Sequence, residues 1–228
     1  MNEIVSRFVP ITEDDGMLYE YCLMRGFKEE WIKEYKVCRW NPPNSLIRNE
    51  DFCHIFLPKG EVLKNHIIFP LFDHIGNLVA FESRDVTVKE SRKFKFFPDP
   101  MLIFGMNKEV FKKIWDGCNI WVVEGIFDAV ALRWITSDIV LSTLTANFSV
   151  TFLEFLSRFY HRSYSINILY DTDTGGIKGS DRAYGHLNRL GINSRRFFVR
   201  HSKHRDPGDL WKAYGEILMP TLGKSCIS

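Results

Sequence analysis

The chain has 228 residues, 45% of them hydrophobic and 25% charged, with 30 Lys and Arg against 28 Asp and Glu for a net charge of +2. That length holds one large domain or two small ones, and the composition is ordinary for a globular protein. No apolar run approaches the ~20 residues of a membrane span, and MNEIVSRFVP lacks the basic-then-apolar form of a secretory signal, so a cytoplasmic protein is expected.

Thr12 and Asp15 have the spacing of an N-cap, and Leu18, Tyr21 and Cys22 share one face of a helix that Gly26 can close. A second short helix, KEEWIKEYK, gathers Trp31, Ile32 and Tyr35 before WNPPNS breaks the pattern. HIFLP, HIIFPLF and NLVAFES read as strands, the last two joined by the turn DHIG into a hairpin. RKFKFFPDP then alternates basic and aromatic side chains up to a proline break.

Beyond Gly117 strands and helices alternate. NIWVVEG, DIVLST, INILYD and SRRFFVR read as strands; IFDAVALRWI, VTFLEFLSRFY, GSDRAYGHLNRL and PGDLWKAYG read as helices. Alternation of this kind predicts a mostly parallel sheet covered on both faces. The chain therefore divides near residue 116 into an α+β half, 1–116, and an α/β half, 117–216, with a short tail, 217–228.

Charge is unevenly spread. Between Arg84 and Lys113 lie eight basic residues against four acids, and from Arg195 to Arg205 five basic residues and two histidines stand without an acid. Such clusters suit a polyanion, and equally a solvated surface. The cysteines (Cys22, Cys38, Cys53, Cys118 and Cys226) are odd in number and widely spaced. They form neither a disulfide framework nor a zinc knuckle, and reduced thiols are expected.

The chemistry lies where the strands stop. IWVVE ends on Glu124, with Asp128 one helical turn on. INILYD ends on Asp171, with Asp173 two residues later, and HRDPGDL adds Asp206 and Asp209. Ligands of a parallel sheet bind beyond the carboxyl ends of its strands, so acids from three loops can meet there. Carboxylates without histidine or thiolate favour Mg²⁺ or Mn²⁺ over zinc, and up to six acids can hold two ions. A strand-end Asp is also an ordinary helix cap. Gly175 and Gly176 permit a close approach of backbone and phosphate.

VVEGIFDAVAL and LYDTDTGGIKGSDRA resemble the glutamate and D-x-D motifs of TOPRIM domains, which occur in DnaG-type primases, topoisomerases and some nucleases. LYEYCLMRGFKEEWIKEYKV, HIIFPLFDHIGNLVAFESR and RKFKFFPDPMLIFGMN are similar, in that order, to the helical opening, the hairpin and the lysine-containing stretch of the DnaG catalytic core. The resemblance spans roughly residues 17 to 211. It implies a DNA primase core that joins ribonucleotides into RNA primers on single-stranded DNA, with an α+β subdomain followed by a TOPRIM subdomain.

By that resemblance Glu124, Asp171 and Asp173 are the principal catalytic and metal-binding acids, supported by Asp128, Asp206 and Asp209. Arg84 and Lys93 match positions on the side of template or incoming ribonucleoside triphosphate, and Lys95, in the basic-aromatic stretch from Arg92 to Phe97, suits template phosphates. The last acidic motif departs from the family's Asp-Pro-Asp, with Gly208 in the place of the second acid. Phe81-Glu82-Ser83 also replaces a more glycine-rich stretch before Arg84.

The cysteines cannot build the zinc ribbon of cellular DnaG primases. A phage or mobile-element replication core is expected, assisted in a bacterial cell by a replicative helicase, a separate zinc-binding protein or both. A TOPRIM nuclease and a non-catalytic nucleic-acid-binding module are the alternatives. A topoisomerase is disfavoured, because no tyrosine has a recognisable strand-cleaving context.

Overall fold

In this computed structural model the described residues are 8–40, 63, 65–88, 91–95, 101–147, 149–159, 164–215 and 222–224. The predicted strand HIFLP, the aromatic residues Phe96 and Phe97, and Cys53 and Cys226 lie outside them.

The first half forms an antiparallel sheet in the order β1-β2-β3-β4-β5, built from Phe8–Pro10, Cys38–Trp40, His66–Phe72, Leu78–Asp85 and Ser91–Lys95. Its hairpin is the expected one. The Asp73 carboxylate accepts the backbone N–H of Ile75 and Asn77, at 3.0 and 2.8 Å, and Gly76 takes φ 92°, a conformation glycine adopts at little cost. Thr12 and Asp15 form a capping box around a 3-10 turn, Glu13–Asp15. Helices α1 (Met17–Met24) and α2 (Glu29–Glu34) follow.

The second half forms a sheet in the order β10-β9-β8-β6-β7, from β6 (Ile120–Val123), β7 (Ile139–Ser142), β8 (Ile166–Leu169), β9 (Ser194–Val199) and β10 (Leu222–Lys224). The pairs β6·β7, β6·β8 and β8·β9 are parallel, as the alternating pattern predicts; β10 adds an antiparallel edge. The helices are α3 (Lys108–Asp116), α4 (Ile126–Leu132), α5 (Val150–Phe159), α6 (Thr174–Arg189) and α7 (Pro207–Tyr214). The expected α+β half followed by a mostly parallel α/β half is thus the fold observed.

Side-chain alternation along the strands creates two cores. On β6, Trp121 and Val123 join the core with Phe69, Phe104, Phe127 and Leu210, which fuses the two sheets. Ile120 and Val122 face the opposite core with Ile114, Phe152 and Leu187. Buried aliphatic and aromatic side chains of this size each contribute about 1.5–3 kcal/mol, so the two halves are held together by a continuous apolar layer.

Candidate active site

Strands β7 and β8 flank β6 on opposite sides, and the helices after β6 and β8 lie on opposite faces: α4 in the first core and α6 in the second. The chain therefore reverses its winding between β6 and β8, which opens a crevice at their carboxyl ends. Glu124 follows β6 and Asp171 follows β8. They meet there, with the backbone N–H of Asp171 donating to Glu124 Oε1 at 3.2 Å.

The other acids are drawn in by helix capping. Asp128 receives the N–H of Gly125 on Oδ2 and the N–H of Gly208 on Oδ1, both at 2.9 Å. It thereby ties the start of α4 to the start of α7. Asp206 caps α7 through the N–H of Asp209 at 2.6 Å, and Asp173 caps α6 through the N–H of Gly176 at 2.8 Å. Each cap satisfies a backbone donor that a helix start leaves open. The Arg205 carbonyl accepts both the N–H and the hydroxyl of Thr172, at 3.1 and 3.3 Å, which fixes the Asp206 loop beside the D-x-D loop.

Gly176 explains the glycine pair differently from the sequence expectation. A Cβ there would lie 2.2 Å from the Asp171 carbonyl and 2.6 Å from Glu124 Oε1. Its bareness is used against protein atoms, and both glycines belong to α6, which begins at Thr174. Gly208 is similar: a Cβ would meet Asp128 Oδ1 at 2.9 Å, so a larger residue would press on the carboxylate that its own N–H holds.

Glu124, Asp128, Asp171, Asp206 and Asp209 line one cavity of about 970 Å³. Asp173 stands beside that lining, close enough to raise the proton affinity of both Glu124 and Asp171. Arg84 and Lys93 line the facing wall, from the antiparallel sheet. Lys95, two residues along the strand from Lys93, is exposed and is not part of the lining. Lys93 donates to the Leu144 carbonyl and so bridges the two halves across the cavity.

Crowding of like charge sets the electrostatics. Burial, then repulsion from Glu124 and Asp206, pushes the Asp171 carboxyl up to about 7. Burial also raises Glu124, helped by Asp173 and Asp206 and opposed by the Asp171 N–H and Lys93. Asp128 is pushed well up, first by burial and then by Asp206 and Asp171. Among the described residues no three His, Cys, Asp or Glu side chains close on a single coordination sphere as they stand. The donor set nevertheless fits a hard divalent cation: it consists of carboxylate oxygens alone, and their mutual repulsion is what such a charge relieves.

Sequence reasoning missed Arg25, Lys212 and Glu82, which share the lining. The Arg25 guanidinium lies 4.1 Å from the centre of the Phe127 ring, and its Nε is buried without a hydrogen-bond partner. Its only local mark was the helix end at Gly26; the contact of α1 with α4, through Tyr21 and Phe127, brings it to the cavity. Lys212 arrives one helical turn beyond Asp209, on α7.

Residues 121–211 match the Toprim-like family. The DNA primase of Borreliella burgdorferi is 30% identical over 96% of this chain and 39% of its own length, and that of Clostridium acetobutylicum 24% over 92% and 37%. The chain thus spans about two fifths of these relatives. The structure of a DnaG primase catalytic domain bound to single-stranded DNA aligns with TM-score 0.68 and 18% identity, over 88% of this chain and 68% of that one. The Escherichia coli primase catalytic core aligns with TM-score 0.67 and 19% identity, over 89% and 70%. In its Toprim-like segment, in sequence over most of its length and in fold, the chain is similar to the DnaG-type primases with their TOPRIM domain.

Proposed function

We propose that the chain synthesises short RNA primers on a single-stranded DNA template, by transfer of ribonucleotides from their triphosphates. The observation that carries this reading is the pairing of two walls on one cavity: Glu124, Asp171 and Asp206 on one side, Arg84 and Lys93 on the other. Phosphoryl-transfer sites need charge stabilisation and positioning more than covalent chemistry. In this reading residues 1–116 supply the basic wall and 117–216 the acids.

Glu124, Asp171 and Asp173 would hold Mg²⁺ or Mn²⁺, with Asp128, Asp206 and Asp209 in support. Such an ion lowers the pKa of an attacking hydroxyl and offsets charge on a leaving pyrophosphate. Asp128, with both oxygens engaged by backbone N–H groups, acts by holding α4 and α7 in place. Arg84 and Lys93 bind the triphosphate or the template phosphates, and Arg25 adds a third positive group. Glu124 is the candidate for moving the proton of the attacking hydroxyl. A helicase or a zinc-binding protein would supply start-site choice and loading.

The testing experiment incubates the protein with single-stranded DNA, ribonucleoside triphosphates and Mg²⁺ or Mn²⁺, with and without candidate helper proteins. Growth of RNA products supports the reading. Shortening of the DNA without RNA growth identifies a nuclease instead.

A further inference from the structure

The cavity contains one acid from the antiparallel sheet, Glu82, which the proposed chemistry does not use. The β4–β5 register sets Glu82 directly opposite Lys93, and Arg84 opposite Ser91. Alternate positions of a strand share a face, so Glu82 and Arg84 both look into the cavity from β4. Glu82 is 7% exposed. Its Oε1 accepts the Ser91 hydroxyl at 2.6 Å. Its Oε2 is buried without a hydrogen-bond donor and lies 3.9 Å from the Lys93 ammonium.

A buried carboxylate is tolerated only beside a counter-charge, and a buried acceptor without a donor is costly. Lys93 supplies the counter-charge only from beyond hydrogen-bond distance, while its ammonium donates to the Leu144 carbonyl across the cavity. A phosphate reaching Lys93 therefore arrives next to a fixed negative charge that already shares the same cation. Burial raises the Glu82 proton affinity, while Ser91, Lys93 and Arg84 oppose the rise.

We infer that Glu82 is a positioning residue for Lys93: an internal counter-ion that the incoming triphosphate displaces, and that keeps nucleotide affinity low enough for turnover. The inference rests on the reading that this cavity takes nucleotide. Binding shared equally by ground and transition states does not raise turnover, which gives such a competitor a use.

The test is calorimetric titration of the parent, Glu82→Gln, Lys93→Met and the double variant with ATP and with tripolyphosphate, both in Mg²⁺. Glu82→Gln keeps the Ser91 contact and removes only the charge. It is expected to bind both ligands about tenfold more tightly. Lys93→Met is expected to lose more affinity in the Glu82→Gln background than in the parent, because the ammonium is no longer shared. In priming assays the nucleotide KM falls and kcat does not rise.

Equal or weaker binding by a Glu82→Gln protein with the parental melting temperature overturns the inference and leaves the nucleotide reading intact. Absence of binding to all four proteins overturns both. Should Glu82→Gln not fold, Glu82→Asp, which withdraws the carboxylate by one methylene, is expected to tighten binding to a smaller degree, and unchanged affinity there overturns the inference.

Discussion

The backbone N–H of Asp171 donates to Oε1 of Glu124 at 3.2 Å, so the ends of neighbouring parallel strands are joined through one of the site's own carboxylates. The bond favours the ionised Glu124 while nearby acids oppose it. Strand register alone brings the two residues together, since Val123 pairs with Leu169 and each chain then turns into a helix on a different face. The site is thus a product of sheet topology, and its charge balance can be probed at either residue.

Asp171→Asn tests that balance. In the parent, burial and then repulsion from Glu124 push the Asp171 carboxyl up to about 7, against about 3.9 in an unfolded chain. The native state therefore binds more protons than the unfolded state between those values, and stability falls as pH rises through that window. In divalent-free buffer the parental melting temperature is expected to drop from pH 5 to pH 8. The variant should show a shallower drop, the remainder coming from Glu124 and Asp128. Priming should fall at least about a hundredfold while affinity for single-stranded DNA is retained. Equal slopes of melting temperature against pH would contradict the assigned repulsion.

Two glycines of α6 should respond in opposite directions. Gly176→Ala drives a methyl group onto the Asp171 carbonyl and Glu124, and overpacking of this kind costs about 1–3 kcal/mol. Displacement of the acids is expected to reduce priming by about a hundredfold. Gly185 has open space around its Cβ position and lies inside the same helix. Gly185→Ala should stabilise the protein by about 0.5–1 kcal/mol and leave priming unchanged. Urea denaturation of both variants checks the pair.

The residues that could be read from the sequence are those whose signal is local. Short apolar runs located β3, β4 and β6 to β9, and Asp73 with Gly76 marked the hairpin. Glu124 and Asp171 were visible because each stands where an apolar strand stops. The three-residue strands β1, β2 and β10 gave no such signal, as three residues cannot show a period. Helix α3 was missed although Phe111, Ile114 and Trp115 fall at helical spacing, because its lysines were read as part of a basic cluster. Arg25, Glu82 and Lys212 reach the cavity through contacts between distant elements, which no local pattern encodes.

Leu144 is a non-glycine residue at φ 59°, and it lines the cavity while its side chain is buried in the first core. The left-handed backbone costs an L-residue about 1–2 kcal/mol, whereas removing a buried leucine side chain costs about 2–5 kcal/mol. Both Leu144→Ala and Leu144→Gly should therefore destabilise the protein. Alanine loses the side chain and keeps the strain; glycine loses the side chain and relieves it. The glycine variant is expected to be the more stable of the two by about 0.5–1 kcal/mol, reversing the usual order. Chemical denaturation measures the difference, and alanine proving the more stable would show that the backbone here is relaxed.

Thiol reactivity offers a check on core packing that is independent of the active site. Cys22 is fully buried, and burial pushes its thiol up to about 12; Cys38 is raised by the same cause. Cys118, half-buried, is pushed up to about 11 by burial and then by Asp138, with Lys113 opposing and Asp116 adding to the rise. Only the thiolate attacks a disulfide reagent. At pH 8 Cys118 should therefore react about a hundredfold more slowly than a free cysteine, for which the unperturbed pKa is about 8.5. Cys22 and Cys38 should stay silent until the protein unfolds. Peptide mapping after timed labelling with a disulfide reagent assigns each site. Rapid native-state labelling of Cys22 would mean that the layer of Phe27, Tyr35 and Phe69 around the first core opens more readily than its packing implies.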